Sequence, residues 1–337
     1  MKIFMMGCWN KNACLDQKEF DGREEVLNML ANEPQEYDIG ILLGDNIYPL
    51  KTKIKTKKKT TKKKNFLRES QDYYNHIIQI SKQITKDSKD KKLHVILGNH
   101  DVEKPCVLEN QIITFKKSPV STIYTKNKIF ETKFAVFLML DTNNIGNIIE
   151  FLQGFDIEKM KNRWLILCGH DPIFSYKPKK KRIFQKIDEA EMLFRVMSNL
   201  QYQKMAYFCA DTHNFQILDI AYYSEEGEFY FPVIVAGTGG ANPDSLDDIE
   251  LYETHHDEDT DLHINVLSSK EPFGFLELNI SEKQIDIKYR KCGSTNQAML
   301  TFKNNKLTYT IFYDESECRT PPPRCLTQSP KTQLEIC

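Results

Sequence analysis

Short apolar runs that stop at Gly, Asp, Asn or His recur along the first two thirds of the chain. Lys2–Met6 stops at Gly7-Cys8, Tyr37–Leu43 at Gly44-Asp45, and Leu93–Leu97 at Gly98-Asn99-His100. Phe134–Leu140 stops at Asp141, Trp164–Leu167 at Cys168-Gly169-His170, and Met205–Cys209 at Ala210-Asp211. Uninterrupted apolar runs of this length suit strands covered on both faces. Between them, Lys18–Leu30, Phe66–Ile84 and Lys186–Leu200 carry apolar residues at helical spacing, with Phe20, Val26, Leu27 and Leu30 sharing a side in the first. Strands alternating with helices predict a layered α/β architecture.

The later part of the chain has a different rhythm. Gln216–Tyr223, Phe229–Ala236, Gly274–Ile280 and Gln284–Tyr289 alternate or cluster as strands with few helical stretches between them. They predict a second sheet packed on the first. The expected fold class is therefore α/β, a four-layer α/β/β/α sandwich of two mixed sheets flanked by helices. A chain of 337 residues, 40% hydrophobic, can bury such a core. Residues 1–300 are expected to form one domain, with 301–337 a partly Pro- and Cys-containing extension.

Composition adds two insertions. Residues 51–64 hold nine lysines and only Ile54 as a large apolar residue, the composition of a solvated loop. Residues 244–263 are acidic and polar, include His255, His256 and His263, and are expected to be a loop. A net charge of −1 gives no reason to expect specific nucleic-acid or membrane binding. Nine scattered cysteines, an apolar start of only six residues before Gly7, and no run of ~20 apolar residues point to reduced thiols in the cytoplasm.

The candidate chemistry lies in where the strands stop. Asp45, Asn99, His100, His170, Asp211 and His213 each follow a predicted strand within a few residues. Strand ends of an open α/β sheet converge on one rim, where ligands bind. One histidine in such a place is more often structural. Recurrence at successive strand ends favours a metal centre.

The motifs make the resemblance specific. Gly44-Asp45-Asn46-Ile47-Tyr48, Gly98-Asn99-His100-Asp101, Gly169-His170-Asp171-Pro172 and Ala210-Asp211-Thr212-His213 stand in the order used by metallophosphoesterases. They look closest to the small, mammalian-type purple acid phosphatases. Gly7-Cys8-Trp9, Ala236-Gly237-Thr238-Gly239-Gly240 and Gly274-Phe275-Leu276-Glu277-Leu278 resemble further segments of that branch, so the likeness covers roughly residues 1–290. It implies two divalent transition-metal ions (manganese, zinc or iron) that activate a hydroxide for in-line attack on a phosphate monoester. Asp45 would bridge both, Tyr48 and His213 would bind the first, and Asn99 and His170 the second. His100 would contact the phosphate and protonate the leaving group, with Asp101 orienting it. The implied substrate is a phosphorylated small molecule or a phosphoprotein.

Two ligand positions depart from that pattern, which has Asp at Cys8 and His at Asp211. A thiolate is a competent but softer ligand. Asp211 keeps an oxygen but exchanges a neutral ligand for an anion. Cys8, Asp45, Tyr48 and Asp211 would give four anionic ligands where the branch has three, so the centre would be closer to neutral and its phosphoesterase activity weaker. Two alternatives stay open: Cys8 as a buried thiol that ligates nothing, and the whole chain as a catalytically degraded scaffold that binds a protein partner. A nuclease or cyclic-nucleotide phosphodiesterase fits less well, since the chain has neither an Asp-x-His opening nor a Gly-His-x-His closing motif.

Overall fold

The computed structural model describes residues 1–9, 22–32, 37–48, 75, 80, 93–118, 120–160, 162–177, 182–185, 190–200, 202, 204–224, 227–241, 244, 249–256, 260–269, 273–291, 298–303 and 306–311. The chain opens with β1 (Lys2–Met6), α1 (Gly22–Asn32), β2 (Ile39–Leu43) and β3 (Leu93–Ile96). A one-turn α2 (Asn99–Val102) and α3 (Pro105–Lys117) lead to β4 (Ser121–Ile123), β5 (Lys128–Glu131) and β6 (Ala135–Met139). Then come α4 (Ile145–Gln153), β7 (Trp164–Cys168), the hairpin β8 (Phe174–Lys177) and β9 (Arg182–Gln185), α5 (Ala190–Asn199) and β10 (Met205–Cys209). The rest is strand: β11 (Phe215–Ser224), β12 (Gly227–Ala236), β13 (Ile249–His256), β14 (Thr260–Ser269), β15 (Gly274–Ile280), β16 (Gln284–Lys291), β17 (Ala298–Lys303) and β18 (Lys306–Ile311).

These strands form two eight-stranded mixed sheets. The first runs β18-β17-β16-β15-β1-β2-β3-β4, with β1 to β4 parallel and β15 antiparallel to β1. The second runs β13-β14-β11-β12-β10-β7-β6-β5, with β6, β7, β10 and β12 parallel. Every residue of β2, β6, β7 and β10 is buried, which is why these segments read as unbroken apolar runs.

Three apolar clusters separate the layers. Ile3, Met5, Ile41 and Leu276 of the first sheet meet Phe137, Ile166, Phe208 and Ile234 of the second. On the outer face of the first sheet, Val26, Leu27 and Leu30 of α1 and Phe115 of α3 cover Phe4, Leu42 and Phe275. On the outer face of the second, Ile148, Ile149 and Leu152 of α4 and Leu193, Phe194 and Met197 of α5 cover Leu138, Leu165 and Val233. The order is α/β/β/α.

Three expectations are corrected. The late strands do not make up the second sheet: β15 to β18 extend the first, and β11 to β14 the second. Residues 244–263 are not a loop, since β13 and the start of β14 lie there and pair with each other. Leu262, Ile264 and Val266 alternate onto the helix-covered face, a period-two pattern that the surrounding acids and histidines obscure. Finally, the expected extension beyond residue 300 begins within the first sheet, supplying the end of β17 and β18. Residues 51–64, and 66–84 apart from 75 and 80, lie outside the described residues. No helix among the described residues is long and apolar enough to cross a membrane.

One buried acid anchors the outer face of the first sheet. Glu277, 2% exposed, pairs with Arg290 at 3.1 Å and Lys2 at 3.2 Å, and accepts from the Tyr37 hydroxyl at 3.2 Å. Burial raises its carboxyl, but Arg290 and Lys2 together outweigh that and hold it below the ordinary value of 4.5. A depressed folded value means the stabilisation is complete above 4.5 and lost as pH falls through the folded value. Glu277→Gln is expected to lower unfolding stability by about 1–3 kcal/mol at neutral pH. In urea titrations the gap to the wild type should narrow below pH 4.5.

Candidate metal centre

The ends of β1, β2 and β3 from the first sheet and β7 and β10 from the second meet at one rim. Backbone hydrogen bonds lace them together: Cys8 N–H to Gly44 O (3.0 Å), Ala210 N–H to His170 O (2.8 Å) and Gly7 N–H to Ala236 O (3.0 Å). Four non-glycine residues have positive φ among the described residues, and three are at this rim: Cys8 (53°), Asp45 (52°) and Asp211 (57°). The left-handed region is disfavoured for side-chain-bearing residues, and such strain concentrates at functional sites. Each turn aims a potential ligand into the same space. Gly98 is needed for this approach, because a Cβ there would stand 2.3 Å from Asp45 Oδ1.

His170 is fully buried, and its Nδ1 lies 2.8 Å from the Leu43 carbonyl. A carbonyl only accepts, so Nδ1 carries the hydrogen and Nε2 points the other way. Nε2 faces Asn99 Oδ1 at 3.2 Å, Asp45 Oδ1 at 3.3 Å and Asp211 Oδ1 at 3.8 Å. With a neutral imidazole Nε2 is an acceptor that faces three oxygens. A proton on it, or a cation among them, turns these contacts favourable. Burial disfavours the imidazolium, but Asp45, Asp211, Asp171 and the Leu43 carbonyl together leave His170 above its ordinary value.

A second donor group stands beside the first. Ligand atoms of Cys8, Asp45 and His213 lie within 4.8 Å of one another, as do those of His170, Asp171 and Asp211. The Tyr48 hydroxyl is 3.2 Å from His213 Nε2. Burial, then Asp45 and Asp211, push the Cys8 thiol well up; burial, then Cys8 and Asp45, do the same to the Tyr48 phenol. Both groups therefore keep their protons unless a cation compensates the charge, and a bound cation does deprotonate a coordinating thiol. Nitrogen, carboxylate, amide, phenol and thiol donors crowded at one buried rim fit a divalent transition metal.

No family model matches the chain, and neither does any curated protein. Among solved structures, one of PhoD superposes with a TM-score of 0.55 at 11% identity, covering 93% of this chain and 72% of that one. Two structures of Vps29 from Entamoeba histolytica, a single mutant and the wild type complexed with Zn+2, give TM-scores of 0.36 and 0.34. Their identities are 10% and 9%, with 93% of this chain covered in each case and 100% and 98% of theirs. The fold is shared with PhoD.

Within this fold, Cys8, Asp45, Tyr48, Asn99, His170, Asp211 and His213 share the rim. His100 joins them at its half-exposed edge, with its N–H on Asp45 Oδ1 at 3.1 Å and its ring 4.8 Å from that of Tyr48. The expected partnership of Asp101 with His100 is not what the side chains do. His100 Nδ1 is 3.3 Å from Glu103 Oε2, one helical turn on. Asp101, buried, accepts from the N–H groups of Gly98 (2.8 Å), Asn46 (3.1 Å) and Ile47 (2.9 Å), and from the side chains of Asn46 and Gln111 (2.9 Å each). Its position inside a one-turn helix points the carboxylate back under the strand-end loops. Burial and Asp45 push its carboxyl up to about 6, against the pull of those backbone donors.

Two residues had not been singled out. Asp171 follows His170 in sequence, and a carboxylate next to a strand-end histidine was the available signal. Glu103 carries none that distinguishes it from other surface acids. Because Asp101 ties the loop after β2 to the loop after β3, Asp101→Ala leaves five donors without their acceptor. The expected loss is at least ~3 kcal/mol of unfolding free energy, read by chemical denaturation of the metal-free protein.

Proposed function

We propose that this protein is a metal-dependent phosphoesterase that hydrolyses phosphate monoesters at a two-cation centre of the purple acid phosphatase kind. The observation that carries the reading is the convergence on His170 Nε2 of three oxygens, from Asn99, Asp45 and Asp211. In this reading Asp45, 1% exposed, would be the carboxylate shared by both cations. Tyr48, His213 and Cys8 would hold the first, and Asn99, His170 and Asp211 the second. Divalent ions bound there supply Lewis-acid polarisation of a phosphoryl oxygen and lower the pKa of water.

The chain's own groups do the rest. Asn99 is exposed and His100 half-exposed, so the phosphate meets the centre from their side. His100 gives a proton to the leaving oxygen, and Glu103 fixes its ring. The near-neutral charge expected from Cys8 and Asp211 weakens the attraction for phosphate, so turnover is modest.

The test is elemental analysis of the purified protein, followed by aryl phosphate hydrolysis with manganese, zinc or ferrous iron. Two equivalents of metal and metal-dependent turnover are expected. His170→Ala should remove one equivalent and lower turnover by ~100-fold or more. The pair Cys8→Asp with Asp211→His should raise turnover on the order of tenfold, about 1.4 kcal/mol off the barrier. Absence of metal and of turnover under every condition contradicts the proposal and leaves a scaffold built on the same fold.

A further inference from the structure

Strands β11, β12 and β14 carry a surface remote from the metal rim. β12 pairs with β10 only from Val233 to Val235, so the end of β11 and the starts of β12 and β14 run on together past that contact. On one face Ile220, Tyr222, Phe231 and Ile264 pack into the helix-covered core. On the other, Ala221 stands across from Tyr230 of β12 and His263 of β14, with Tyr223 next along its own strand. The Tyr223 ring meets that of His263 at 5.1 Å and 76°, and that of Tyr230 at 6.5 Å and 79°. Three aromatic rings, set edge to face, thus stand around one methyl side chain, and all four residues are half-buried. Roughly 25 Å of strand separates Tyr223 from Phe215 at the rim end.

Acids border this cradle. The Tyr230 hydroxyl donates to Glu228 Oε2 at 3.1 Å, and Glu228, exposed, lies across from Tyr223. Asp219 lies two residues back from Ala221 on the same face of β11. Burial pushes its carboxyl up to about 6, with no hydrogen bond among the described residues to offset it. Residues 205–269 contain fourteen Asp or Glu and no Lys or Arg, so no cation of this stretch answers them. A ring face is the negative pole of its quadrupole, and several such faces beside a carboxylate hold an ammonium ion. We propose that Tyr223, Tyr230 and His263 bind the ammonium end of a lysine side chain from a basic segment of a partner protein, with Glu228 and Asp219 as counter-charges. A free amine would fill the cradle alone, whereas acids spread over three strands reward a ligand with several cations. The role is independent of the cations at the rim and of the reaction proposed there.

The test titrates the full-length protein with a short labelled peptide carrying several lysines, with the same peptide acetylated at every lysine, and with tetramethylammonium chloride. Acetylation removes the charge and should weaken binding ~10-fold or more. Tyr223→Leu and Tyr230→Leu should each weaken it about 5- to 30-fold, while Tyr223→Phe, which keeps the ring, changes it less than about twofold. Added salt should weaken it as well. Equal binding of the acetylated peptide, or unchanged affinity in both leucine variants, overturns the proposal. So does binding that responds to Glu228→Gln alone, the mark of an acidic surface without a cradle. Binding of tetramethylammonium but not of the peptide assigns the cradle to a free amine and overturns the protein partner. Proton NMR of the wild-type complex gives an answer even where a variant does not fold. A lysine methylene next to nitrogen should move upfield under the ring currents, and unmoved signals contradict the cradle.

Discussion

Convergence of polar side chains from both sheets on His170 Nε2 at one rim is the constraint on which the rest of this molecule depends. Oxygens of Asn99, Asp45 and Asp211 stand 3.2, 3.3 and 3.8 Å from His170 Nε2, and packing elsewhere holds them there. That packing is visible. Fully buried strands from both sheets interlock through the inter-sheet core, and their ends are laced by backbone bonds among Gly7, Cys8, Gly44, Ala236, Gly239 and Ala241. Cys8, Asp45 and Asp211 accept left-handed backbone conformations as a consequence. Strain and like-charge crowding in the same few residues are what a cation site looks like from the protein's side.

Below that rim lies a layer whose task is support. Asn46 receives the Trp9 indole N–H at 3.0 Å and donates to the Ile96 carbonyl at 2.8 Å and to Asp101. Asp101 gathers the loops after β2 and β3, and Gln111 of α3 holds Asp101. The network runs from β1 to α3 through buried side chains only, so the ligand-bearing loops are fixed to the scaffold rather than to solvent.

Much of this was legible in the sequence, for a physical reason. Strands covered on both faces must be apolar throughout, so β1, β2, β3, β6, β7 and β10 announce themselves. The polar residue that ends each is where the backbone reaches the rim. Hence Asp45, Asn99, His170, Asp211 and His213 could be placed together before any coordinates. What stayed hidden depends on three dimensions. Nothing in the order of residues says that β15 pairs with β1 rather than with β11. The alternation of Leu262, Ile264 and Val266 in β14 is masked by the acids and histidines that surround it in sequence. The partner of His100 is decided by helical phase: Asp101 turns inward while Glu103, two residues on, turns toward the ring. Asp171 lies in Gly169-His170-Asp171-Pro172, but only the fold shows that its carboxylate returns to the imidazole beside it.

The central claim is that separate strand ends from two sheets close on a shared pair of cations held by Asp45. A crystal structure of the protein grown with zinc and manganese, with anomalous maps at both absorption edges, tests it directly. The account predicts two anomalous peaks, one on either side of the Asp45 carboxylate, with Cys8 and His213 beside one and His170 beside the other. A rim without peaks, with a proton on His170 Nε2 bonded to Asn99 or Asp45 instead, would contradict it.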